Sequence, residues 1–536
     1  MSSRGRIQLL IAVVAAVFFV PGLGAVHLFD WDEINFAEIA REMVVSGDWS
    51  RPQVGFVPFH EKPPLFMWLQ ATSMTLFGVG EFAARLPDAI CGIITLITLF
   101  RIGERVRNRT FGLLWVLAYF GSILPHLYFR SGIIDPWFNL FIFLGIDRMI
   151  RASQRDDRAS VHAALAGLFI GLAILTKGPV GVLIPALVFF IFWGSMRFRN
   201  VISWRSTIII ALATVITAGS WLAYDFALHG PDFLVDFFKR QLALLTTEDA
   251  DHGGFFGYHF VVLLIGCFPA SAFALQEMLK PSRTEGPANE HRRWMLILFW
   301  VVLILFTLVE TKIVHYSSLC NFPLTYLAAL QLERIWSKQE AFGWSRYMLG
   351  IIGNVFAVAA IALPFVAMHA DTLKPFFNDD FAKDNLDAAV GWSGVEVSAG
   401  LLLLIALVIG HVLHGRGRFR RSLLVTFIGS ALFVTVSLYF LINNIEAYSQ
   451  RAAVEFFRSK ASENCWLMAK GYKSYVPDFY GELHAAQPDA EVLINGTIDR
   501  SVYIACKADD REARAALGKF TELYEKNGFV FYERKP

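Results

Sequence analysis

Residues 206–224 have the sequence STIIIALATVITAGSWLAY, nineteen residues that include no charged side chain. A helix needs about 20 consecutive, predominantly apolar residues to cross the hydrocarbon core of a bilayer. This segment therefore predicts a membrane-spanning helix. The whole chain agrees with it, since 55% of the 536 residues are hydrophobic and 18% are charged. A soluble protein with so few charges could not cover its surface.

The same composition excludes several classes of protein. Disordered chains, nucleic-acid binders built on basic patches and disulfide-rich secreted domains each need a different balance of apolar, charged and cysteine residues. The net charge of +2 says little about partners, because the placement of charge matters more than its sum in a membrane protein. We expect a mainly α-helical, polytopic membrane protein that contacts membrane lipids and binds no nucleic acid.

Twelve more apolar runs lie before and after residues 206–224 along the chain. Together they predict thirteen spans, at 7–28, 86–104, 110–129, 134–150, 160–176, 179–196, 206–224, 257–279, 293–310, 316–333, 347–368, 393–413 and 421–441. The run nearest the N-terminus, 7–28, follows a short basic segment, as in a signal peptide, but it extends to Leu28 without a clear small-x-small cleavage site. We expect it to be an uncleaved first span.

Charge placement predicts the orientation of these spans. Alternate connections carry most of the Arg and Lys, at positions 4, 6, 101, 105, 107, 109, 148, 151, 155, 158, 197, 199, 205, 280, 283, 292, 293, 334, 338, 346, 416, 418, 420 and 421. By the positive-inside rule this side is cytoplasmic, and so is the N-terminus. The sequence thus predicts a multi-pass protein of the bacterial inner membrane, with a transmembrane domain at 1–441 and a periplasmic domain at 442–536.

The first outward segment, 29–85, is acidic and too long for a simple connector. Residues 33–45 have the pattern of an amphipathic helix that Gly47 ends. Residues 64–77 predict a second apolar helix, which is too short to span and better suited to the membrane interface.

The tail from residue 442 alternates helical stretches, 445–461 and 509–527, with short runs typical of strands, 465–469, 501–506 and 529–532. This pattern predicts a small periplasmic α/β domain. Cys465 and Cys506 both lie in it. The oxidising compartment allows a disulfide between them, and two buried thiols on adjacent strands are the alternative.

Ionisable residues of several outward segments are candidates for one site. They comprise the carboxylates of Asp32, Glu33, Glu61 and Asp135, the cations Lys62, Lys177, Arg240 and Lys312, and the neutral groups of His252, His315 and Tyr316. A phosphate that leaves a sugar gains negative charge, which nearby Lys or Arg stabilises. Direct displacement at the sugar carbon also needs a carboxylate as base for the acceptor hydroxyl. The set is suited to an anionic, lipid-linked substrate.

Several motifs carry a specific resemblance. They are Asp32-Glu33, residues 36–43 (FAEIAREM), 46–49 (SGDW), 61–63 (EKP), 82–87 (FAARLP), 177–179 (KGP) and the stretch 312–323 around His315-Tyr316. This sequence resembles the aminoarabinose lipid A transferases and the related protein O-mannosyltransferases. The resemblance implies an integral-membrane glycosyltransferase of the GT-C class, with periplasmic interfacial helices. Such an enzyme moves one sugar from a polyprenyl-phosphate carrier to a glycolipid, such as lipid A, or a protein acceptor on the outer face, with inversion at the anomeric carbon.

The resemblance also implies roles for single residues. Asp32 becomes the general base, and Glu33 beside it positions the acceptor. Lys62, Lys177, Lys312 and Tyr316 become groups on the phosphate side, and Asp135, Arg240 and His315 join the substrate-binding set. Glu61 and His252 match positions that can hold zinc in the aminoarabinose group, and we expect no other cofactor. We expect a monomer.

The chain departs from that group at two motifs. Residues 32–36 are DEINF where the aminoarabinose transferases typically have Asp-Glu-Thr-Arg-Tyr, and residues 59–63 are FHEKP where they have Tyr-Phe-Glu-Lys-Pro. An Arg is therefore absent next to the expected base. These changes affect the expected sugar and acceptor more than the reaction class.

Other interpretations stay open. Asp32 and Glu33 suit a helix N-terminus, Asp135 before Pro136 suits a helix start, and lysines at span ends commonly reach to the interface. Within enzymes, an oligosaccharide ligase or transferase is the alternative. A transporter or flippase for lipid-linked sugars is the alternative of another class. Transporters place ionisable residues near the middle of discontinuous helices and often have repeated halves, a pattern that this sequence lacks.

Overall fold

The structure is a computed structural model, and it describes residues 2–154, 156–246, 254–281 and 286–536. The helices up to residue 246 are α1 (Ser3–Phe19), α2 (Asp32–Ser46), α3 (Leu65–Phe77), α4 (Glu81–Val106), α5 (Arg109–Phe120), α6 (Ile123–Tyr128), α7 (Asp135–Ser153), α8 (Ala159–Lys177), α9 (Val180–Ser195), α10 (Trp204–His229) and α11 (Asp232–Thr246). A short antiparallel hairpin, β1 (Gln53–Val54) and β2 (Val57–Pro58), lies between α2 and α3.

Eight more helices complete the membrane region: α12 (Tyr258–Gly266), α13 (Ala270–Leu279), α14 (Gly286–Leu308), α15 (Asn321–Lys338), α16 (Ser345–Ala367), α17 (Asp380–Asn385), α18 (Val397–Gly415) and α19 (Phe419–Ser437). Two 3₁₀ segments, Val314–Cys320 and Ala370–Phe376, precede α15 and α17. A π-helical segment, Leu438–Ile442, extends α19.

Every predicted span contains helix, although four of them are broken or continued by a second segment. In the first span, 7–28, the helix ends at Phe19, nine residues before the predicted end. By length and composition, seven helices of the described residues are able to cross a membrane, and the pair α12 and α13 would make eight if it is one span bent by 117°. The other predicted spans coincide with helices that are shorter or carry more charge. The number thirteen therefore stays a prediction.

The C-terminal domain is a small α/β unit, as the tail pattern predicts. Its helices are α20 (Asn443–Glu446), α21 (Arg451–Lys460), α22 (Val476–Tyr480), α23 (Ala490–Asn495) and α24 (Arg511–Ala515), and its strands are β3 (Trp466–Lys470), β4 (Val502–Lys507), β5 (Thr521–Lys526) and β6 (Phe529–Arg534). The sheet has the order β3-β4-β6-β5, in which β3 and β4 are parallel and the other pairs antiparallel.

One predicted helix of this domain is wrong. The segment 509–527 contains the short helix α24 and then the edge strand β5. Asn527 and Gly528 join β5 to β6 with φ of 50° and 74°, and Asn-Gly with two positive φ angles is the preferred two-residue hairpin turn. Pairing with β6 therefore overrides the helical propensity of this segment.

The cysteine alternatives are also decided by the sheet. Trp466 pairs with Val502, while Cys506 pairs with Lys470 at the other end of the two strands. Cys465 and Cys506 are therefore separated along the ladder, and both are buried, free thiols.

Helix α2 connects the membrane region to the C-terminal domain. Its apolar residues, among them Ile34, Ile39 and Met43, belong to one hydrophobic cluster with Phe456 and Phe479 of the C-terminal domain. Burial of each such side chain contributes about 1.5–3 kcal/mol. The polar side of α2 is buried as well, so α2 lies enclosed between α3 and the C-terminal domain instead of presenting one face to the interface.

An ion pair on the polar side of α2 allows this side to be buried. Arg41 donates to both carboxylate oxygens of Glu38, at 2.6 Å each, and to the carbonyl of Leu483 at 2.7 Å. The contact fixes α2 against the C-terminal domain. As a result, the residues at the start of α2 have a defined position relative to both parts of the chain.

Candidate active site

Asp32 is the first residue of α2, and the backbone before it is strained. Trp31 has φ of 73° and ψ of −106°, a conformation that a bulky residue rarely adopts and that persists where the surroundings impose it. Asp32 itself keeps 45% of its side chain exposed. The turn thus presents a carboxylate at the surface of a cleft, at the amino end of a buried helix.

Glu33, the next residue, is anchored inside the protein. Arg85 donates to both of its oxygens, at 2.9 and 2.7 Å, and the backbone N–H groups of Gly132 and Phe29 donate at 2.6 and 2.9 Å. Burial alone would raise the pKa of Glu33, but Arg85 and the two N–H groups outweigh it and hold the pKa below its usual value. Because its oxygens are engaged in this way, Glu33 fixes the start of α2.

The cleft beside Asp32 has a volume of about 850 Å³. It gathers groups from the first outward segment, from α8, from the residues after α14 and from the C-terminal domain. Its lining residues are Trp31, Asp32, Asn35, Phe36, Phe59, Glu61, Lys62, Ile134, Lys177, Arg240, Ile313, His315, Tyr316, Lys473 and Tyr475. Seven of the predicted site residues are among them, namely Asp32, Glu61, Lys62, Lys177, Arg240, His315 and Tyr316. We call it the cationic cleft, since four of its side chains are Lys or Arg.

Lys177 reaches the cleft because α7 and α8 are an antiparallel pair. Asp135 begins α7, Lys177 ends α8, and the Lys177 ammonium donates to Asp135 Oδ1 at 2.6 Å. Gly178 ends α8 with φ of +89°, and a Cβ there would lie 2.5 Å from the Phe237 ring. Only Gly fits this turn.

His315 joins the two acids of the site. Its Nε2 lies 3.4 Å from Asp32 Oδ2 and 3.6 Å from Asp135 Oδ2. Asp135 is buried, with 3% of its side chain exposed, and does not line the cleft. The order Lys177–Asp135–His315–Asp32 is therefore a connected chain of alternating basic and acidic groups that ends at the exposed carboxylate.

Lys62 and Arg240 are further cations that line the cleft. Burial and the nearby charge of Lys177 lower the pKa of Lys62, although Glu61 and Asp32 oppose this effect. Arg240 lies 3.9 Å from Glu61 Oε2. The Lys177 ammonium also lies 5.0 Å from the centre of the Tyr316 ring. Positive charges held this close repel one another until an anion enters between them.

Two lining residues come from the C-terminal domain and have no signal in the sequence. Lys473 lies over the Trp31 ring at 5.3 Å and the Tyr475 ring at 5.5 Å. Asp30, just before the strained turn, accepts hydrogen bonds from Ser474 and from the backbone N–H of Tyr475. These contacts join segments that are more than 440 residues apart, and only the tertiary fold brings them together.

Lys312 differs from the expected arrangement. Its ammonium donates to the carbonyls of Phe306, Thr307 and Val309, where α14 ends. A lysine in this position satisfies the free carbonyls of a helix carboxyl end. Lys312 is therefore directed at its own helix and does not line the cationic cleft.

The expected zinc position rests on Glu61 and His252. His252 lies outside the described residues. Within the described part of the chain, no group of three His, Cys, Asp or Glu is arranged to hold a metal ion, and Glu61 lies against Arg240. Zinc at this position stays a prediction.

A second, largely apolar cleft of about 1000 Å³ meets the first at Asp32. The segment after α1, helix α6 and the π-helical segment line it with apolar side chains, among them Leu23, Leu127, Leu438 and Ile442. Glu33, Arg85 and Arg130 line it as well. Asp32 lines both clefts. A carboxylate in this position can accept a proton from a group that enters through one cleft while an anion is held in the other.

Comparison with known proteins bears on this geometry. Over residues 61–221 the sequence matches the dolichyl-phosphate-mannose-protein mannosyltransferase family. A relative from Proteus mirabilis, undecaprenyl phosphate-alpha-4-amino-4-deoxy-L-arabinose arabinosyl transferase 1, is 27% identical over 340 residues, which are 62% of this chain and 61% of the relative. A transferase of the same name from Shewanella sediminis is 28% identical over 334 residues, 60% of this chain and 59% of the relative. The chain thus spans less than two thirds of the length of these relatives.

A solved structure covers nearly the whole chain. The crystal structure of ArnT from Cupriavidus metallidurans bound to undecaprenyl phosphate has a TM-score of 0.79 at 20% identity, and covers 99% of this chain and 98% of that one. Its apo form gives a TM-score of 0.77. The resemblance predicted from the motifs of the first outward segment is confirmed, and the chain has the fold of ArnT, the GT-C fold.

Proposed function

We propose that the protein is an inverting glycosyltransferase that moves a single sugar from a polyprenyl-phosphate carrier to a glycolipid acceptor. The position of Asp32 carries this proposal, because its carboxylate borders a cationic cleft on one side and an apolar cleft on the other. A sugar phosphate fits the first and a lipid-anchored hydroxyl fits the second. The curated relatives act, by their names, with an undecaprenyl-phosphate sugar.

The reaction has one displacement. Asp32 accepts the proton of the acceptor hydroxyl while that oxygen forms a bond to the anomeric carbon. The bond from this carbon to the phosphate oxygen breaks on the opposite face, so the configuration inverts. The polyprenyl phosphate leaves with an additional negative charge, and the proton stays on Asp32 until solvent removes it.

The cations stabilise this charge as it develops. Lys62, Lys177 and Arg240 line the cleft from three parts of the chain. Lys473 of the C-terminal domain is a fourth cation, and we assign it to binding of the lipid-linked sugar before the reaction. Preorganised cations cost no rearrangement at the moment of bond breaking, which makes them effective in a site of low polarity. We assign the same surface of the cleft to Tyr316, whose ring holds the Lys177 ammonium in place.

His315 and Asp135 act as positioning residues. His315 lies between Asp135 and Asp32 and restricts the rotation of the Asp32 carboxylate. Asp135 is held in turn by Lys177. Glu33 fixes the backbone of the same turn through Arg85. It also lines the second cleft, through which the acceptor enters.

The departures from the aminoarabinose group lie in the cleft wall. Asn35, Phe36 and Phe59 line the cationic cleft where that group has Arg or Tyr. The wall therefore has one charge and two hydroxyls fewer near the sugar. We infer that the donor sugar is recognised through different polar groups, and the apolar second cleft favours a glycolipid over a protein as acceptor.

We place the protein in the bacterial inner membrane with its N-terminus in the cytoplasm, and the cationic cleft and the C-terminal domain in the periplasm. The Arg-rich connections support this orientation through the positive-inside rule. We propose that it acts as a monomer, since one chain supplies all the groups assigned above.

The test supplies purified protein with a panel of radiolabelled undecaprenyl-phosphate sugars and extracted glycolipids. Transfer or hydrolysis is expected with the wild type. It is also expected with the control variant Asp489→Asn, since Asp489 is an exposed acid of the C-terminal domain remote from the cleft. Asp32→Asn is expected to lose 10²–10⁴-fold in rate, the usual contribution of a general base. Unchanged turnover in Asp32→Asn would remove Asp32 as the base. Translocation of the lipid-linked sugar without transfer would favour the flippase instead.

A further inference from the structure

A third cavity lies at the far ends of the helices that form the active site. It has a volume of about 1250 Å³, and it is lined by Arg4, Thr98, Arg101, Ile102, Glu104, Arg105, Arg109, Leu144, Asp147, Arg148 and Arg151. Arg101 lies sixteen residues beyond Arg85 on α4, and Arg151 sixteen residues beyond Asp135 on α7. At 1.5 Å per residue, both lie about 24 Å from the active-site ends of their helices. The cavity is therefore on the opposite face of the membrane region.

The side chains that line this cavity carry more positive than negative charges. Six arginines and two acids line it. Glu104 is shared by Arg4 and Arg109, at 2.8 and 3.1 Å, and Asp147 is paired with Arg105.

Three arginines are left over from this pairing. Arg101, Arg148 and Arg151 form no ion pair with a carboxylate within the described residues. The Nε atoms of Arg148 and Arg151 are buried without a hydrogen-bond partner.

Membrane topology alone does not explain this arrangement. The positive-inside rule asks for Arg and Lys on one side of the membrane, where separate connections satisfy it. Here arginines from α1, α4, α5 and α7 converge on one concave surface with buried donors. Like charges brought together in this way are unfavourable unless an anion lies among them.

We propose that this cavity binds the phosphate headgroup of an anionic phospholipid. A phosphate diester accepts several hydrogen bonds from guanidinium groups, and Arg is well suited to it by its planar donors. Basic pockets between membrane helices are typical binding sites for such headgroups. The bound lipid would join the ends of α4 and α7 and thus support the helices that carry Arg85 and Asp135.

The experiment titrates the purified protein with phosphatidylglycerol and, separately, with phosphatidylcholine, and measures binding by native mass spectrometry. Wild type is expected to bind phosphatidylglycerol preferentially. A triple Gln variant at Arg101, Arg148 and Arg151 is expected to bind it about 100-fold more weakly, since each basic side chain near a membrane surface contributes about fivefold. The triple Lys variant keeps the charge but loses the planar donors, and is expected to bind more weakly than wild type and more tightly than the triple Gln variant.

The matched control removes three exposed arginines of another Arg-rich connection, as Arg416→Gln, Arg418→Gln and Arg421→Gln. It is expected to bind like wild type. Equal losses in both triple variants would overturn the proposal, because they would indicate a general effect of charge. Displacement of the lipid by equimolar glycerol phosphate would also overturn it, in favour of a soluble anion. If the triple variant does not fold, Arg148→Gln and Arg151→Gln singly are each expected to bind about fivefold more weakly, and wild-type affinity in both would refute the site.

Discussion

Asp32 and Glu33 are adjacent acids with opposite surroundings, which predicts opposite effects of the same change. Glu33→Gln removes the carboxylate that accepts from Arg85 Nε and from a second guanidinium nitrogen, at 2.9 and 2.7 Å. Arg85 is then left charged and buried without an acidic partner. Breaking a buried pair on one side costs about 3–5 kcal/mol of unfolding free energy. We expect Glu33→Gln to be destabilised by this amount.

Asp32→Asn is expected to cost less than about 1 kcal/mol. Its side chain is 45% exposed, and its one ion-pair contact among the described residues is with His315 at 3.4 Å. Exposed or loosely held pairs contribute little to stability. The activity prediction is reversed, since Asp32→Asn loses turnover while retaining the fold.

The assay measures unfolding of the purified protein in detergent, by heat and by denaturant, together with sugar transfer. A double variant, Glu33→Gln with Arg85→Met, separates the pair from its other contacts. Arg85 also donates to the carbonyls of Leu23, Val26 and His27. The double variant is thus expected to stay destabilised, but by less than the sum of the two single changes. Wild-type unfolding of Glu33→Gln, or equal destabilisation of Asp32→Asn, would refute the reasoning.

Three further outcomes are expected. Lys177→Gln should lower kcat by about 10²–10³-fold, the usual effect of removing one preorganised donor from a developing anion, and an unchanged kcat would place the phosphate elsewhere. Lys473→Ala should raise KM for the lipid-linked sugar by about fivefold with little change in kcat, as for loss of one exposed cation near a membrane surface; a change in kcat alone would contradict this role. Burial and Glu38 raise the pKa of Asp478 to about 8, so the folded state binds this proton more tightly than the unfolded chain. Its contribution to stability is present below about pH 4 and is lost as the pH rises towards 8; Asp478→Asn should flatten the heat-unfolding profile between pH 5 and 8, and an identical profile in wild type and variant would contradict it.

Much of the membrane region could be predicted from the sequence because the bilayer limits the choices. An apolar run of the length of α10 has few alternatives to a helix in lipid. Asp135 and Lys177 could also be placed near each other, since they lie at the ends of two consecutive spans joined by a short connection. For these features, local pattern and chain order are sufficient.

The remaining features depend on contacts that chain order does not reveal. Lys312 has the spacing of a site residue, yet the carbonyls at the end of α14 compete for its ammonium. Glu33 has the motif of a catalytic acid, but its partner Arg85 lies 52 residues away. The hairpin of β5 and β6 had a local signal in Asn527-Gly528 that the charged segment before it obscured. Lys473 had no signal at all.

The contact between Asp30 and Ser474, which are 444 residues apart, has a consequence for biosynthesis. A ribosome makes the first outward segment early, and this segment is present through most of membrane insertion with its cleft open on one side. Lys473 and Tyr475 complete the cleft when the C-terminal segment has been made and has folded. A nascent chain therefore holds the acid and most cations of the site without the full wall, and activity is expected to begin only after synthesis has passed this point.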